Sequence, residues 1–477
     1  MRPRGTRQVQ VGRFGAWLAR PLASFHLVVT IATLLTVLGL VMVLSASSVE
    51  SYADGRSAYA LFVQQAMYAV IGAVLFYLAL RIPLRRLRQV SFPLFAASVL
   101  LLVLVLIPGV GSTVNGARRW IDLGLFSIQP SEVVKVTFVV WGAHLLVSRR
   151  AAARAANDPG GLKNLLVPLV PAGLLVCLLI VLQPNLSTTI AMGIVLLALL
   201  WFGGLPLRLF LAILASGAIA ALVLALSAGY RSDRMRAFFN PGDDPQGINY
   251  QARQAMYSLA DGGLWGRGLG QSRAKWSYLP NSHNDFIFAI IGEELGFLGC
   301  ALVLGLFALF VYTGLRIAAR SVDPFLRLLT ATATTWITGQ ALINIGYVVG
   351  LLPVTGLQLP LVSAGGSSLA LTLLMFGIIA NAARHEPEAV AALHAGQDGR
   401  VSRLLRLPKP EINPPPRSRS GTPATGDTTP ARGAPRDGDR PRTRTRANSR
   451  GTDTLRATRA WEPSYSVTHG RERGKYR

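Results

Sequence analysis

Charged residues are scarce in this chain, 15% of its 477 positions, and acidic ones scarcer still, 23 Asp and Glu against 48 Lys and Arg. With 51% hydrophobic residues and a mean hydropathy of +0.41, that shortage excludes an ordinary soluble enzyme and points to a chain that crosses a bilayer many times. Cysteine is nearly absent. Cys177 and Cys300 both fall inside apolar stretches, where a thiol behaves as a small hydrophobe, and neither signals redox chemistry. Zinc-ligand spacings, H-E-x-x-H and the P-loop are missing. The "GRGLG" of Gly266–Gly270 follows no strand pattern and reads as a loop rather than a nucleotide fingerprint. The formal charge of +25 lies largely in loops and tail, where anionic lipid head groups are the nearer partner, so no nucleic-acid partner is expected.

What the sequence does have is a series of apolar runs of roughly 17 to 25 residues, the length that spans a bilayer. These are Phe25–Leu44, Ala60–Leu80, Val90–Ile107, Pro130–Val147, Leu165–Leu182, Leu186–Phe202, Leu209–Ser227, Phe286–Leu315, Leu326–Val349 and Leu361–Ala382. The expected fold is therefore all-α, a polytopic protein of ten transmembrane helices with both termini on one side. Arg2, Arg4, Arg7, Arg13 and Arg20 precede the first run, Arg81, Arg85, Arg86 and Arg88 follow the second, Arg149, Arg150 and Arg154 follow the fourth, and Arg316, Arg320 and Arg327 flank the eighth and ninth. By the positive-inside rule these mark the cytoplasmic face. The first run imitates a secretory signal but leads straight into further spans, so a retained anchor is expected.

Three regions follow: a basic cytoplasmic segment over 1–22, a membrane domain over 23–384 with a long extracytoplasmic loop at about 229–284, and a tail over 385–477. The tail mixes Pro, Arg, Ser, Thr, Gly and Asp and cannot bury enough apolar area to offset ordering, so disorder is expected. It reads either as a solvated extension or as a docking or phosphorylation segment.

Polar residues gather in three loops of the outer face: Pro108–Gln129, Gly229–Asn284 and Gly350–Pro360. In "GARRWIDLGLFSIQPSEVVK", Pro130 suits the first turn of a helix, which Glu132 favours through the dipole and Lys135 opposes. Lys135 needs an anion, either Glu132 three residues back or a ligand phosphate. Arg118 and Arg119 point in different directions, so one can clamp a phosphate while the other meets head groups or Asp122. Around "YQARQAMYSLA" a short amphipathic interfacial helix is expected, with Arg234, Gln251 and Gln254 as substrate contacts or loop packing. Asp285 stands at the mouth of the eighth run beside His283 and Asn284. Glu293 and Glu294 lie deeper, where a carboxylate must be neutral, paired or wet, and a hydrogen bond fixing the bundle is the favoured role of both. "PLVSAGGSSL", containing Ser363, brings small residues for close helix packing or free N–H groups for an anion.

Taken together, "GARRWIDLG…QPSE..K", "QPNLST", "YQARQA…GGLWGRGLGQS", "HNDFIFAIIGEELG" and "PLVSAGGSS" resemble the SEDS family (shape, elongation, division and sporulation) over the whole membrane domain. "SHNDFIFAIIGEELG" and the long Arg/Pro tail look more like the division-type members, in an actinobacterial version. The resemblance implies ten helices and a peptidoglycan glycosyltransferase that polymerises lipid II outside the plasma membrane, at the septum. Its implied partners are a class B penicillin-binding protein, other divisome proteins and membrane lipids.

By the same resemblance Asp285 is the general base. Lys135, Glu132 and Arg118 fall in the family's polar stretch and are expected to face the same cavity; Arg119, Gln129, Ser131, Arg234, Gln251, His283, Asn284 and Ser363 are further candidate substrate-binding residues, and a divalent cation such as Mg or Mn is the one cofactor to consider. Asn185 stands where relatives carry Asp, Ser127 where many carry a basic residue and Asn281 where Glu is frequent. A diphosphate leaving group needs cations rather than an acid, so one base suffices. Two other readings are carried: a flippase of lipid II, whose site belongs near the midplane, and a non-catalytic division scaffold.

Overall fold

A computed structural model describes residues 20–53, 55, 57–114, 116–124, 126–155, 161–227, 238, 248–273, 283–396, 403 and 405–410. Ten helices coincide with the ten apolar runs: α1 (Ala23–Ala53), α2 (Ala60–Arg81), α3 (Leu84–Leu104), α4 (Pro130–Ala155), α5 (Gly161–Val181), α6 (Leu186–Phe202), α7 (Leu207–Ser227), α9 (Ile287–Arg320), α10 (Pro324–Val348) and α11 (Ser367–Arg384). Seven of them are long and apolar enough to cross a membrane, namely α1 to α4, α7, α9 and α11. The amphipathic α8 (Ile248–Gly262) lies where an interfacial helix was expected, and α12 (Pro387–His394) follows the last long helix. Arg234, Asn281, most of the N-terminal segment and most of the tail lie outside the described residues, although the start of the tail, expected to be disordered, forms α12.

The first long loop departs from the all-α expectation. It folds into a three-stranded antiparallel sheet of β1 (Ser112–Val114), β2 (Ala117–Asp122) and β3 (Ser127–Ile128), in the order β1-β2-β3. Strands of two to six residues are too short to show an alternating pattern in sequence.

Packing of the long helices follows small and aromatic residues, as it must where lipid removes the hydrophobic drive between helices. Phe95 of α3 stacks on Trp141 of α4 at 4.3 Å, and Ser98 and Thr137 share a 2.7 Å hydrogen bond across the same seam. α11 lies along α2, where Asn381 donates to the carbonyls of Ala79 and Ile82, both at 2.8 Å, satisfying the C-terminal end of α2. α1 packs on α2, α9 and α11, so the leader-like first run is an integral helix of the bundle.

Two expected helix bounds are wrong for identifiable reasons. The run from Leu361 becomes helical only at Ser367, because Leu361 and Gly366 have φ of 65° and 52° and hold the intervening segment in an irregular turn. That segment presses on α1, and a Cβ at Gly39 would sit 2.8 Å from Val362 Cα. The eighth run is not one continuous helix: Gly296 has φ 68° and ψ −165°, a conformation open in practice only to glycine, so α9 breaks there into two pieces.

Candidate functional site

The break in α9 explains what the glutamates are doing. A broken helix leaves carbonyls and N–H groups without partners, and in an apolar setting each must find one. The turn after α8 supplies them. Arg267 and Gly268 donate their N–H groups to the carbonyls of Glu293 and Glu294 at 2.9 and 3.0 Å, while Phe297 and Leu298 donate to the carbonyls of Gly263 and Leu264 at 2.9 and 3.4 Å.

The two carboxylates complete the clasp. Glu293 accepts from the Ser272 hydroxyl at 2.7 Å and the Arg273 N–H at 2.6 Å; Glu294 accepts from the Ser45 hydroxyl of α1 at 2.6 and 2.7 Å and from the Ser272 N–H at 3.4 Å. Neighbouring helical positions diverge by about 100°, yet both meet Ser272, because the loop wraps around the helix end. The glutamates thus fix the long loop to the bundle.

Asp285 sits in the turn just before α9, half-buried, and its backbone is held from two sides. Its carbonyl accepts from Asn344 Nδ2 at 3.0 Å and from the Tyr347 hydroxyl at 2.8 Å, both on α10. The His283 carbonyl accepts from the Ala364 N–H at 3.1 Å in the turn before α11. Phe286 is buried edge-on against Tyr347 with ring centroids 5.8 Å apart. The backbone of the turn is therefore held in place.

A chain of polar side chains runs from this turn to α4. Asn284 Oδ1 accepts from Gln358 Nε2 at 3.1 Å, the Gln358 carbonyl accepts from Gln340 Nε2 at 3.0 Å, and Gln340 Oε1 accepts from Lys135 Nζ at 3.4 Å. Lys135 ends the chain in a 2.8 Å ion pair with Glu132, with its side chain fully buried and its ammonium 5.1 Å from the centre of the Trp336 ring. Of the two anions open to Lys135 from sequence, Glu132 is the one it meets here.

The other candidates divide into struts and exposed groups. Arg119 donates to the carbonyls of Gln183 and Pro184 at 3.1 and 2.6 Å, which ties β2 to the turn between α5 and α6. Arg118, next along the strand, points the other way and is exposed. Gln129 donates to Ser131 at 3.0 Å and, through its N–H, to Ser367 at 3.2 Å. Ser363 is buried; its hydroxyl accepts from the Leu359 N–H at 2.8 Å, and its carbonyl accepts from Gln65 at 3.0 Å. Gln251 and Gln254 are half-buried on α8. Asn185 caps α6 by accepting from the Thr188 N–H at 3.2 Å, a role that Asn and Asp fill equally well. Ser127 shares its backbone with the Tyr68 hydroxyl at 2.8 Å.

Sequence reasoning missed Gln65, Gln340, Asn344, Tyr347 and Gln358, which hold the Asp285 turn and its surroundings. Their signal was available: Gln65, Gln340 and Asn344 are amides inside otherwise apolar helices, where a polar side chain must have a purpose. Among the described residues no three of His, Cys, Asp and Glu converge on a common point. The described residues by themselves therefore do not make a metal site.

A bundle of long apolar helices, with a buried polar network running from the Asp285 turn to Lys135 and Glu132, defines a multi-pass membrane protein. The chain belongs to the cell cycle protein family of FtsW, RodA and SpoVE, which it matches over residues 25–388. It is 58% identical over 430 residues to the probable peptidoglycan glycosyltransferase FtsW of Mycobacterium tuberculosis, covering 89% of this chain and 81% of that one. It is 38% identical over 359 residues to the stage V sporulation protein E of Bacillus subtilis, covering 75% and 96%. Among solved structures, a chain from a peptidoglycan synthase complex that coordinates polymerization and crosslinking superposes with a TM-score of 0.61 at 28% identity, covering 78% of this chain and 99% of that one. The rod shape determining protein RodA of Thermus thermophilus superposes at 0.54, with the same identity and coverage.

Proposed function

We propose that this chain is a peptidoglycan glycosyltransferase of septal cell-wall synthesis, polymerising lipid II into glycan strands at the outer face of the plasma membrane. Asp285 accepts the proton of the acceptor sugar's 4-hydroxyl as that oxygen attacks the anomeric carbon of the donor, with inversion, and the polyprenyl diphosphate leaves. The observation that carries this reading is the placement of one carboxylate in a turn whose backbone is clamped by Asn344, Tyr347 and Ala364. A general base gains from being held within a fraction of an ångström of its proton.

Arg118, exposed on the outer sheet, is the cation suited to the departing diphosphate, and Arg119 holds that sheet in place. Lys135 and Glu132 act at a distance, through Gln340 and Gln358, to position the turn. A magnesium or manganese ion would arrive on diphosphate oxygens, since among the described residues no further carboxylates or histidines cluster with Asp285. The ten helices cross the membrane with both termini in the cytoplasm, and the protein works with a class B penicillin-binding protein at the septum.

Purified protein, with that partner, given fluorescent lipid II tests the reading. Glycan ladders formed by the native protein and lost in Asp285→Ala support it. Lipid II scrambling across vesicles without ladders makes the chain a flippase, and neither activity makes it a scaffold.

A further inference from the structure

At the opposite end of the bundle from Asp285, four helices enclose a cavity of about 470 Å³. It lies between the ends of α4, α6 and α9 and the start of α10. Its walls are mostly apolar, among them Leu146, Phe202 and Leu315, and Phe202 and Leu315 are 38% and 41% exposed on the flank of the bundle, so the cavity adjoins the lipid. Three arginines line it, Arg150, Arg154 and Arg327, and among the described residues no acidic one does.

Three like charges converging on an apolar cavity are unfavourable unless an anion joins them. Two acids stand four residues along the chain from these arginines: Asp323, which is committed to Arg88, and Asp158, which lies outside the described residues. Arg150 also donates to the carbonyl of Gly203 at the end of α6, which holds its guanidinium at the cavity edge. Arg154 and Arg327 have no side-chain hydrogen bond or ion pair recorded among the described residues, so their charges are available to a ligand. The chain's own C-terminal tail does not suit the role, since it carries far more Arg and Lys than Asp and Glu.

We propose that this cavity is a binding site for an anionic phospholipid of the adjoining leaflet, its phosphate held between Arg154, Arg327 and Arg150 and its acyl chains running over Phe202 and Leu315. The volume falls in the range of ordinary ligand pockets, about 300–1,000 Å³, and suits a head group with the first part of its chains. Basic pockets between helices at a membrane face recognise anionic head groups in this manner. The inference is independent of the glycosyltransferase reading, because it uses none of the residues around Asp285.

Native mass spectrometry of the purified full-length chain, titrated with dioleoyl phosphatidylglycerol or dioleoyl phosphatidylcholine, tests it. The native protein should bind one phosphatidylglycerol in preference to phosphatidylcholine, and R154Q/R327Q should lower that affinity about 30-fold at roughly fivefold per arginine. R85Q/R86Q, which removes equal charge elsewhere on the same face, should bind as the native protein does. If the double variant does not elute as a single species, R327Q alone is read, with a loss of about fivefold. The proposal is overturned if the cavity variants bind phosphatidylglycerol normally, if R85Q/R86Q weakens binding equally, or if millimolar inorganic phosphate displaces the lipid and so marks a soluble-anion site.

Discussion

Replacing Gly296 by Ala probes the clasp between α9 and the long loop most cleanly. Its φ of 68° with ψ −165° lies where a side chain costs on the order of 1–3 kcal/mol in backbone strain. The new Cβ would also lie 2.6 Å from the Leu264 carbonyl oxygen and against the Gly266 N–H. Both are backbone atoms of the turn that pairs with the break, so they cannot rotate away, and overpacking of this kind adds roughly 1–3 kcal/mol. The two contributions place the cost at about 2–6 kcal/mol, enough to lower the unfolding midpoint by roughly 4 °C or more.

A control exists on the same helix. A Cβ at Gly305 meets nothing within 4 Å, so Gly305→Ala should be neutral or slightly stabilising. Thermal unfolding in detergent, followed by the fraction that remains monodisperse after heating, compares the two. If Gly296→Ala melts with the native protein, α9 runs unbroken and the account of Glu293 and Glu294 as ends of a clasp is wrong.

Lys135→Met strands the buried Glu132 carboxylate and should cost about 3–5 kcal/mol, whereas Lys135→Met with Glu132→Gln should cost far less; a double-mutant cycle in thermal melts checks this. Ser45→Ala removes both short hydrogen bonds that reach Glu294 from α1, and a loss of about 1–3 kcal/mol is expected, with faster proteolysis of the 262–273 loop as a second readout. Burial pushes the Glu386 carboxyl up, against the pull of Arg320 and Arg316. A carboxyl raised on folding adds stability below its unfolded value and loses it as pH rises through the folded one. Glu386→Gln should therefore match the native protein in acid and become the more stable of the two as the pH climbs past the ordinary carboxylate range. Melts that keep a constant separation across pH would refute that assignment.

The helices were legible because bilayer thickness and apolar run length leave little choice, and Pro130 begins α4 where its missing N–H predicts. What escaped were features set by tertiary contact. The Gly296 break is invisible to hydropathy, since "GEELGFLG" stays apolar enough on either side; only its pairing with residues 263–268 reveals why a glycine stands there. The late start of α11 likewise depends on two left-handed residues that no periodicity marks. Asp285 was identifiable as a carboxylate at the mouth of an apolar run. The clamps that hold it, Asn344 and Tyr347, come from a helix some sixty residues away and needed the fold to be seen.

The glycan yield of Asp285→Asn with fluorescent lipid II and the partner transpeptidase, measured beside the native protein at matched folded concentration, bears on the central claim most directly. Asparagine keeps the size of the side chain but cannot take up the proton. A general base contributes about 10²–10⁴ in rate, so the variant should form glycan at least about a hundredfold more slowly. Polymerisation at the native rate would show that another group removes the proton and that Asp285 is not the base.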